Sequence, residues 1–280
     1  MPIRAMKKSV FSLLILVAWL CGKGYSQTIP LESFKEITLP VSGSKEIYAL
    51  NNKPGQEFAV TLVKGKLMIT KATYSPVFEY PLPEGRLLGV NQGEWGGGLY
   101  YKLNDTTIKD IYVNGDARKA NTPGDPFRGG LMIPERNPIT KLIKGTFLIK
   151  TGNIQKVFNY KDSLYTLEGL AHMGLSFGSI SKLDIKGNKI TGSLRLKFDD
   201  APFGFAIYKD DIYMATLNRF YVIHNWREEL ILDHLFWSYL YPNSVAVKDA
   251  KHIYVGMRAG YAMIDAENKT VVFYQYTGNN

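Results

Sequence analysis

The stretch NSVAVKDAKHIYVGMRAGYAMID, residues 243–265, sets the pattern of this chain. Short apolar runs alternate with clusters of turn-forming residues, which is typical of antiparallel strands joined by hairpins. Together with the residues that follow, the stretch predicts a four-stranded antiparallel unit. Its predicted strands are residues 243–247, 252–256, 261–265 and 270–276.

Two earlier segments follow the same plan: FGFAIYKDDIYMATLNRFYVI from Phe203 and VFNYKDSLYTLEGL from Val157. Each has an apolar strand, a Lys-Asp turn and a second strand that opens with Ile-Tyr or Leu-Tyr. The second strands begin at Leu164, Ile212 and Ile253, so the spacings are 48 and 41 residues. Periods of about 40–50 residues with several short strands per repeat are typical of β-propellers. We therefore predict an all-β fold, a β-propeller of four-stranded antiparallel blades, with five blades as the best fit to the length and six as the alternative.

The N-terminal half fits this plan in one place, RLLGVNQGEWGGGLYYKL, residues 86–103. It predicts a second strand at 87–90, a glycine-rich loop at 91–98 and a third strand at 99–102. The loop lacks the Gly-Lys-Ser/Thr end of a P-loop and opens no helix, so it is not interpreted as a phosphate site. We interpret its glycines as residues that let the chain turn sharply.

Other segments depart from the repeat. The segments at 47–50 and 58–70 are predicted to include a strand that pairs with the last blade and closes the ring. Residues 114–140, rich in proline, glycine and charge, are predicted to form a long loop or insertion. The helix-like stretch WREELILDHLFW, residues 226–237, also fits a pair of strands around a turn.

Residues 1–26 have the three parts of a secretory signal peptide. Basic residues near the start precede an apolar run at 10–20, and small residues follow it. The apolar run is too short to cross a bilayer as a helix. We predict cleavage near Ser26, with lipidation of Cys21 as the alternative. The mature chain, 27–280, is predicted to be a single domain without a transmembrane segment, periplasmic or secreted.

The charge of the chain is modest once the signal peptide is set aside. The formal charge of +9 comes from 34 basic and 25 acidic residues. The predicted signal peptide contains four of the basic residues and no acidic one, which leaves +5 for the mature chain. Such dispersed charge does not indicate nucleic-acid binding. The single cysteine leaves with the signal peptide, so the predicted mature chain has no disulfide and depends on its core alone.

Candidate binding residues are concentrated at one end of the predicted strands. In an antiparallel meander, successive connections lie at opposite ends. The loops between second and third strands, predicted at 91–98, 170–178, 217–219 and 257–260, therefore share one end with the connections between units; we call this end the loop face. The other end, the turn face, has lysine-containing hairpin turns at 161–163, 209–211 and 248–251. Function is often located on loops, and aromatic and arginine residues are enriched at contact surfaces. The candidate ligand-binding residues of the loop face are Asn91, Gln92, Glu94, Trp95, His172, Arg219, Trp237, Tyr239, Tyr241, Asn243 and Arg258.

Each strong candidate also has a structural interpretation. Glu94 could cap backbone amides within its own loop, and His172 could be a hydrogen-bonded packing residue. Arg258 could pair with a carboxylate of a neighbouring unit. The three aromatic candidates of segment 237–241 alternate in sequence, so they are predicted to share one side of an extended segment. Core packing between blades is the alternative to ligand contact for these three rings.

The segment PNSVAVKDAKHIYVGMRAGYAMI resembles exported bacterial β-propeller repeat proteins of the NHL/YVTN type. The resemblance covers residues 150–280 well and concerns the fold. The pieces GEWGG, GLAH and FW…LYPNS…VGMR also resemble a smaller group of exported propellers, a resemblance that implies no chemistry. In the propellers that are lactonases or streptogramin lyases, charged or histidine residues around the central channel hold a divalent metal. This chain offers Glu94 and His172 for that purpose, but no evident set of three or four carboxylates.

Two functions follow as hypotheses. No Ser-His-Asp order, paired catalytic carboxylates, Cys/His metal spacing or cofactor motif stands out, so no cofactor is predicted. The first hypothesis is a non-enzymatic binding or scaffolding propeller that recognises a peptide, glycan or protein partner through the loop face. The second is a metal-dependent propeller lyase or lactonase, in which Glu94 and His172 would hold the ion.

Overall fold

The structure, a computed structural model, describes residues 27–53, 55–119 and 142–278. The predicted signal peptide at 1–26 and most of the predicted long loop at 114–140 lie outside the described residues. The described part of the chain is all-β and forms five sheets, in which every strand pair but one is antiparallel. This part contains no helix that is long and apolar enough to cross a membrane.

The first sheet has three strands, in the order β1 (Thr28–Ile29), β4 (Lys66–Lys71) and β3 (Phe58–Val63). The prediction that 58–70 supplies a strand to the last unit is wrong, because β3 and β4 form a hairpin with each other. The strand that joins the last sheet is instead β2 (Phe34–Ile37), which pairs with residues 273–276.

The segment at 47–50 forms a helix and not the predicted strand. The helix α1 (Lys45–Asn51) begins after Ser44, whose hydroxyl oxygen accepts a hydrogen bond of 3.3 Å from the backbone N–H of Ile47. Ile47 and Leu50 are buried, and their spacing of three residues places both on one side of a helix. The serine cap and the spacing explain why a helix forms here.

The second sheet contains the glycine-rich loop. Its strands, in order, are β5 (Val77–Leu82), β6 (Gly85–Asn91), β7 (Gly97–Leu103) and β10 (Phe147–Thr151). The loop between β6 and β7 contains a single 3₁₀ turn, Gly93–Trp95. Residue 97 has to be glycine, because a Cβ atom there would lie 2.2 Å from the carbonyl oxygen of Val90.

The third sheet is the longest. Its strands are β11 (Ile154–Tyr160), β12 (Ser163–His172), β13 (Leu175–Lys186) and β14 (Lys189–Phe198), extended by β8 (Asp110–Val113) and β9 (Asp116–Lys119). β8 pairs with β14 in parallel. The prediction of a loop over 170–178 is wrong, because β12 and β13 continue to a two-residue turn at 173–174. The alternation of apolar residues on both sides of this turn is a strand pattern.

The fourth sheet matches the repeat identified in the sequence. Its strands are β15 (Pro202–Tyr208), β16 (Asp211–Thr216), β17 (Phe220–His224) and β18 (Arg227–Leu232). Neither interpretation of residues 226–237 is correct as a whole. One strand, β18, is followed by a 3₁₀ helix, Phe236–Tyr239.

The fifth sheet confirms the unit on which the sequence interpretation was based. Its strands are β19 (Ser244–Asp249), β20 (His252–Met257), β21 (Gly260–Asp265) and β22 (Thr270–Tyr276), with β2 added beside β22. Each strand end lies close to its predicted position.

Neighbouring sheets pack through separate apolar clusters, in the order second, third, fourth, fifth and first. Each cluster combines buried side chains from two sheets, so each sheet is held by the next. The clusters contain Leu87, Tyr101, Ile154 and Leu183 (second and third), Phe158, Leu167, Met214 and Ile223 (third and fourth), Ala215, Phe220, Val255 and Phe273 (fourth and fifth), and Phe58, Val60, Ala246 and Tyr261 (first and fifth).

Candidate functional site

Hydrogen bonds join the connections of the loop face from one sheet to the next. Each bond links a loop inside one sheet to a connection or strand end of its neighbour, so the loops form one continuous surface. The bonds are Asn153 Nδ2 to the Gly93 carbonyl (2.6 Å), Asn218 N to Asp200 Oδ2 (2.7 Å), Leu235 N to the Asn218 carbonyl (2.8 Å) and Arg258 N to the Leu240 carbonyl (2.7 Å).

Glu94 and His172 meet on this face. Glu94 lies in the 3₁₀ turn of the second sheet, and His172 is the last residue of β12. Glu94 Oε2 is 3.1 Å from His172 Nδ1, and the two side chains are 43% and 36% exposed. The contact is an ion pair when the imidazole is protonated and a hydrogen bond to the carboxylate when it is neutral. An exposed acid and base in contact can bind a polar group or move a proton.

The other candidates of the glycine-rich loop have different environments. Trp95 is 62% exposed. Asn91 donates through Nδ2 to Gln155 Oε1 (2.9 Å) and accepts at Oδ1 from the Gly93 N–H (3.0 Å), so its side chain fixes the loop. Gln92 is half-buried, and its backbone N–H closes the loop on the carbonyl of residue 96. Of these residues, Trp95 offers the largest free surface.

Strands β12 and β13 extend beyond the strands on either side of them. β11 pairs with β12 as far as Glu168, and β14 pairs with β13 as far as Gly178. Residues 169–178 therefore form a two-stranded projection, which we call the ribbon. Its turn residues Met173 and Gly174 have φ angles of 47° and 83°. Two consecutive positive φ angles are what a tight type I′ hairpin turn requires.

One side of the ribbon is apolar and exposed. Leu175 pairs with His172 and Phe177 pairs with Leu170, so these four side chains share one side. Leu175 is 63% exposed, Phe177 is 52% exposed, and Met173 at the tip is 89% exposed. The sequence interpretation missed these three residues because it assigned them to a loop. The alternation of Leu175 and Phe177 was the signal that could have found them.

The opposite side of the ribbon is fastened to the fourth sheet by Asp200, which the sequence interpretation also missed. Ser176 Oγ donates to Asp200 Oδ1 (2.5 Å), and Asp200 Oδ2 accepts from Thr216 Oγ1 (2.6 Å) and from the Asn218 N–H (2.7 Å). Asp200 is 3% exposed, and these donors compensate the burial of its charge. With Glu94 on the other side, the ribbon is held from both sides.

Arg219 is occupied by contacts within the protein. Its Nε donates to Asp233 Oδ1 (2.9 Å) and its Nη1 donates to the Tyr221 hydroxyl (3.3 Å). The hydrogen bonds to Tyr221 and Asp233 raise the pKa of Arg219, while the His234 N–H and Arg219 lower the pKa of Asp233. Both groups are therefore charged at neutral pH. Arg219, Asp233 and His234 line a cavity of about 340 Å³ together with Asp199.

Trp237 cannot contact a ligand, because it is fully buried. Its indole Nε1 donates to the Thr216 carbonyl (3.1 Å). The prediction of an extended segment with three rings on one side is wrong. The 3₁₀ helix Phe236–Tyr239 turns Trp237 into the core, while Tyr239 and Tyr241 stay 38% and 46% exposed.

Arg258 joins the fifth sheet to α1 and to the start of β3. Its Nε and Nη2 each lie 2.9 Å from Glu57 Oε1, and its Nη1 donates to Asn51 Oδ1 (2.6 Å). The Tyr241 ring stacks on the guanidinium, with its centroid 4.9 Å from the central carbon. The structural interpretation of Arg258, pairing with a carboxylate of a neighbouring sheet, is confirmed.

Tyr48 adds an exposed aromatic ring that the sequence interpretation did not identify. Its ring centroid lies 5.5 Å from that of Tyr239, and a hydrogen bond with Tyr239 raises the pKa of Tyr48. Tyr48 lies in α1, where a strand was predicted, so its position beside Tyr239 was not foreseen. Asn243 is exposed nearby in the chain, and its Oδ1 accepts from Ser244 Oγ (2.8 Å).

No protein-family model matches the chain, and no curated protein matches it. Among residues 27–53, 55–119 and 142–278, no three His, Cys, Asp or Glu side chains are grouped so that they could hold a metal ion. The candidate sites are therefore the exposed apolar groups of the loop face and the pair formed by Glu94 and His172.

Proposed function

We propose that the chain is an exported β-propeller protein that binds or scaffolds a peptide, glycan or protein partner through its loop face, and that it is not an enzyme. The signal-like segment at 1–26 supports export to the periplasm or the exterior. Two observations support the propeller fold. The five sheets pack in series, and β2 brings the N-terminal part of the chain into the last sheet. Propellers restrict their sheet edges by such radial repetition.

The observation that carries the binding function is the distribution of exposed apolar side chains. The turn face contributes Val63, Ile207 and Tyr112, beside lysine-containing turns. The loop face contributes a larger and more aromatic set, between 38% and 89% exposed. Contiguous exposed apolar groups mark interaction surfaces, and aromatic residues supply much of the binding energy there. The loop-face set is Tyr48, Trp95, Met173, Leu175, Phe177, Tyr239 and Tyr241.

The polar candidates support binding in a different way. Arg219, Arg258 and Asn91 use their donors within the protein, so they hold the loops in place. A surface that is fixed before binding loses less conformational entropy when a partner docks. We therefore assign the contact role to the exposed rings and the positioning role to these three polar residues.

The test screens the immobilised mature protein against a random-peptide display library and a glycan array. We expect ligands whose Kd rises by about tenfold or more for the double variant Trp95→Ala/Tyr239→Ala, because each ring is an exposed anchor. The matched control is Val63→Ala/Ile207→Ala, which removes exposed apolar groups from the turn face and is expected to leave the Kd unchanged. Equal losses in the two variants, or no ligand from either screen, would contradict the proposal.

The contact between Glu94 and His172 keeps a metal-dependent lyase or lactonase as the second candidate. The two side chains would supply two ligands to a divalent ion, which would polarise a substrate carbonyl. Metal analysis of the purified protein and thermal shifts with calcium, magnesium, manganese and zinc separate the candidates. A rise in Tm with one of these ions that disappears in Glu94→Gln would favour the enzyme. The absence of both a bound metal and a Tm shift would contradict the enzyme candidate.

A further inference from the structure

We propose that the ribbon, residues 169–178, docks an extended segment of a protein partner in which apolar side chains are flanked by lysine or arginine. The inference rests on the proposed function, because it names the class of partner for part of the same loop face.

The apolar side of the ribbon is the first observation. Met173, Leu175 and Phe177 project from a two-stranded tip that has no neighbouring strand among the described residues. Trp95 is exposed and directly follows Glu94, the residue that contacts His172 on this same side. Apolar side chains of a partner would replace water along this surface, which is the main source of affinity in protein contacts.

The ribbon is also fixed before any partner arrives. An isolated two-stranded hairpin is marginally stable in water. This one is fastened by Glu94 through His172 on one side and by Asp200 through Ser176 on the other. The buried carboxylate of Asp200 makes the second fastening strong, because charged hydrogen bonds are stronger than neutral ones. A projecting hairpin that is held in place by such contacts is suited to binding a partner.

Charge identifies the partner. The chain as a whole is basic, with a formal charge of +9, yet carboxylates flank the ribbon. Glu94 stands on one side, and Asp199 and Asp233 line the cavity on the other. Arg219 balances Asp233, whereas Asp199 is exposed and forms no ion pair within the described part of the chain. Burial raises the pKa of Glu228, Asp199 adds to the rise and Arg219 opposes it, so Asp199 contributes negative charge on this side. Cationic side chains beside the apolar ones would complement it.

A lipid bilayer is the other surface that an apolar hairpin tip could enter. Membrane-binding segments combine apolar residues with lysine and arginine, which are attracted to anionic headgroups. Here the flanking side chains Glu94 and Asp199 are acidic, and an anionic surface would repel them. The observations therefore favour a polypeptide.

The experiment measures fluorescence anisotropy with three labelled synthetic peptides of equal length. One has a Leu-Phe core between lysines, one has the same core between glutamates, and one has a serine core between lysines. We expect the first to bind about tenfold or more tightly than either of the others, and its affinity to fall as salt is raised. Equal binding of the glutamate peptide would overturn the inference.

Variants locate the site. Leu175→Ser/Phe177→Ser and Met173→Asn are expected to weaken binding of the first peptide by about tenfold, and Asp199→Asn by a few-fold. Asparagine tolerates positive φ, so Met173→Asn preserves the turn even if the double variant fails to fold. The controls are Ile207→Ser and Asp184→Asn, which change exposed residues away from the ribbon and should not affect binding.

Other outcomes separate this inference from the proposed function. Ribbon-dependent binding to phosphatidylglycerol and phosphatidylethanolamine vesicles, with none to the peptides, would replace the polypeptide by a membrane. A ligand whose binding is weakened by Trp95→Ala/Tyr239→Ala and unchanged by Leu175→Ser/Phe177→Ser would give a different result. It would support the binding function and contradict the ribbon as the binding site.

Discussion

At the scale of single residues, Arg258 illustrates how an exposed-looking candidate can be a structural residue. Its guanidinium reaches Glu57 and Asn51 and is covered by Tyr241, and its side chain is 25% exposed. The sequence placed Arg258 in a loop and left pairing and ligand contact as alternatives. It could not decide between them, because Glu57 is 201 residues away along the chain.

We expect Arg258→Ala to lower the free energy of unfolding by about 2 kcal/mol, since several charge-assisted hydrogen bonds are lost together. Lys251→Ala is the comparison, because its ion pair with Glu267 is more than half exposed and should contribute less than about 1 kcal/mol. Urea denaturation of both variants measures the two losses. Similar small losses would mean that Arg258 is free to bind a ligand.

Two buried tyrosines make a second residue-scale prediction. The Tyr101 hydroxyl is buried without a hydrogen-bond partner in the described part of the protein, whereas the Tyr160 hydroxyl donates to the Asp210 carbonyl (2.6 Å). Tyr101→Phe should therefore keep or raise the free energy of unfolding, while Tyr160→Phe should lower it by about 1 kcal/mol. Thermal denaturation of both variants tests the contrast, and a larger loss from Tyr101→Phe would contradict it.

At the scale of elements, aspartates at the ends of β19 and β21 hold the hairpin turns of the fifth sheet. Asp249 contacts His252 Nδ1 (2.7 Å), and Asp265 accepts from the N–H and the side-chain amide of Asn268 (2.9 and 2.8 Å). These hydrogen bonds lower the pKa of Asp249 and of Asp265. A carboxylate with a lowered folded-state pKa stabilises the protein above its unfolded pKa, and this contribution is lost as the pH falls through the folded pKa.

We therefore expect stability to fall on acidification below about pH 4, the ordinary range of an aspartate pKa. Asp249→Asn/Asp265→Asn should be less stable at neutral pH and should lose less stability on further acidification. Unfolding monitored by circular dichroism between pH 7 and pH 2.5 gives the two slopes. Parallel slopes in the variant and the wild type would show that the turns do not contribute.

Sequence patterns are sufficient to predict some of the strands. The strands of the fourth and fifth sheets are regular alternations between Lys-Asp turns, and their local signals agree with the final structure. The ribbon was missed because this segment, which contains glycines at 169, 174 and 178, was assigned to a loop. Two of them, Gly169 and Gly178, in fact lie against Pro202, where a Cβ atom would lie 2.7 and 2.3 Å from its Cδ. That close approach depends on tertiary packing, which a single sequence does not contain.

At the scale of the whole molecule, the second and third sheets are joined by a largely buried ion pair. Lys150 Nζ lies 2.5 Å from Glu168 Oε1 and 2.9 Å from Ser181 Oγ, and the Glu168 side chain is 12% exposed. Glu168→Gln should lower the free energy of unfolding by about 2 kcal/mol, because Lys150 would keep a partly buried charge without its counterion. Lys150→Met/Glu168→Leu should recover most of this loss. A double variant as unstable as the single one would contradict this explanation.

The arrangement of the sheets was harder to predict from the sequence than the positions of their strands. The repeat predicted separate four-stranded units, and they are present. The strand that completes the fifth sheet comes from residues 34–37, far from the C-terminus in sequence and without a repeat signature. The loop face could be foreseen because it follows from strand direction alone. Which of its residues are buried, as Trp237 is, depends on the 3₁₀ helix that precedes β19.

The central claim is that partners bind the loop face, and site-specific protection measures it most directly. The predicted mature chain has no cysteine, so single cysteines can be introduced one at a time by Met173→Cys and Tyr241→Cys on the loop face and by Val63→Cys and Ile207→Cys on the turn face. Maleimide labelling is then compared with and without a saturating ligand from the screens. The account predicts slower labelling at one or both loop-face positions and unchanged labelling at the two turn-face positions. Protection at positions 63 or 207, with positions 173 and 241 unaffected, would contradict it.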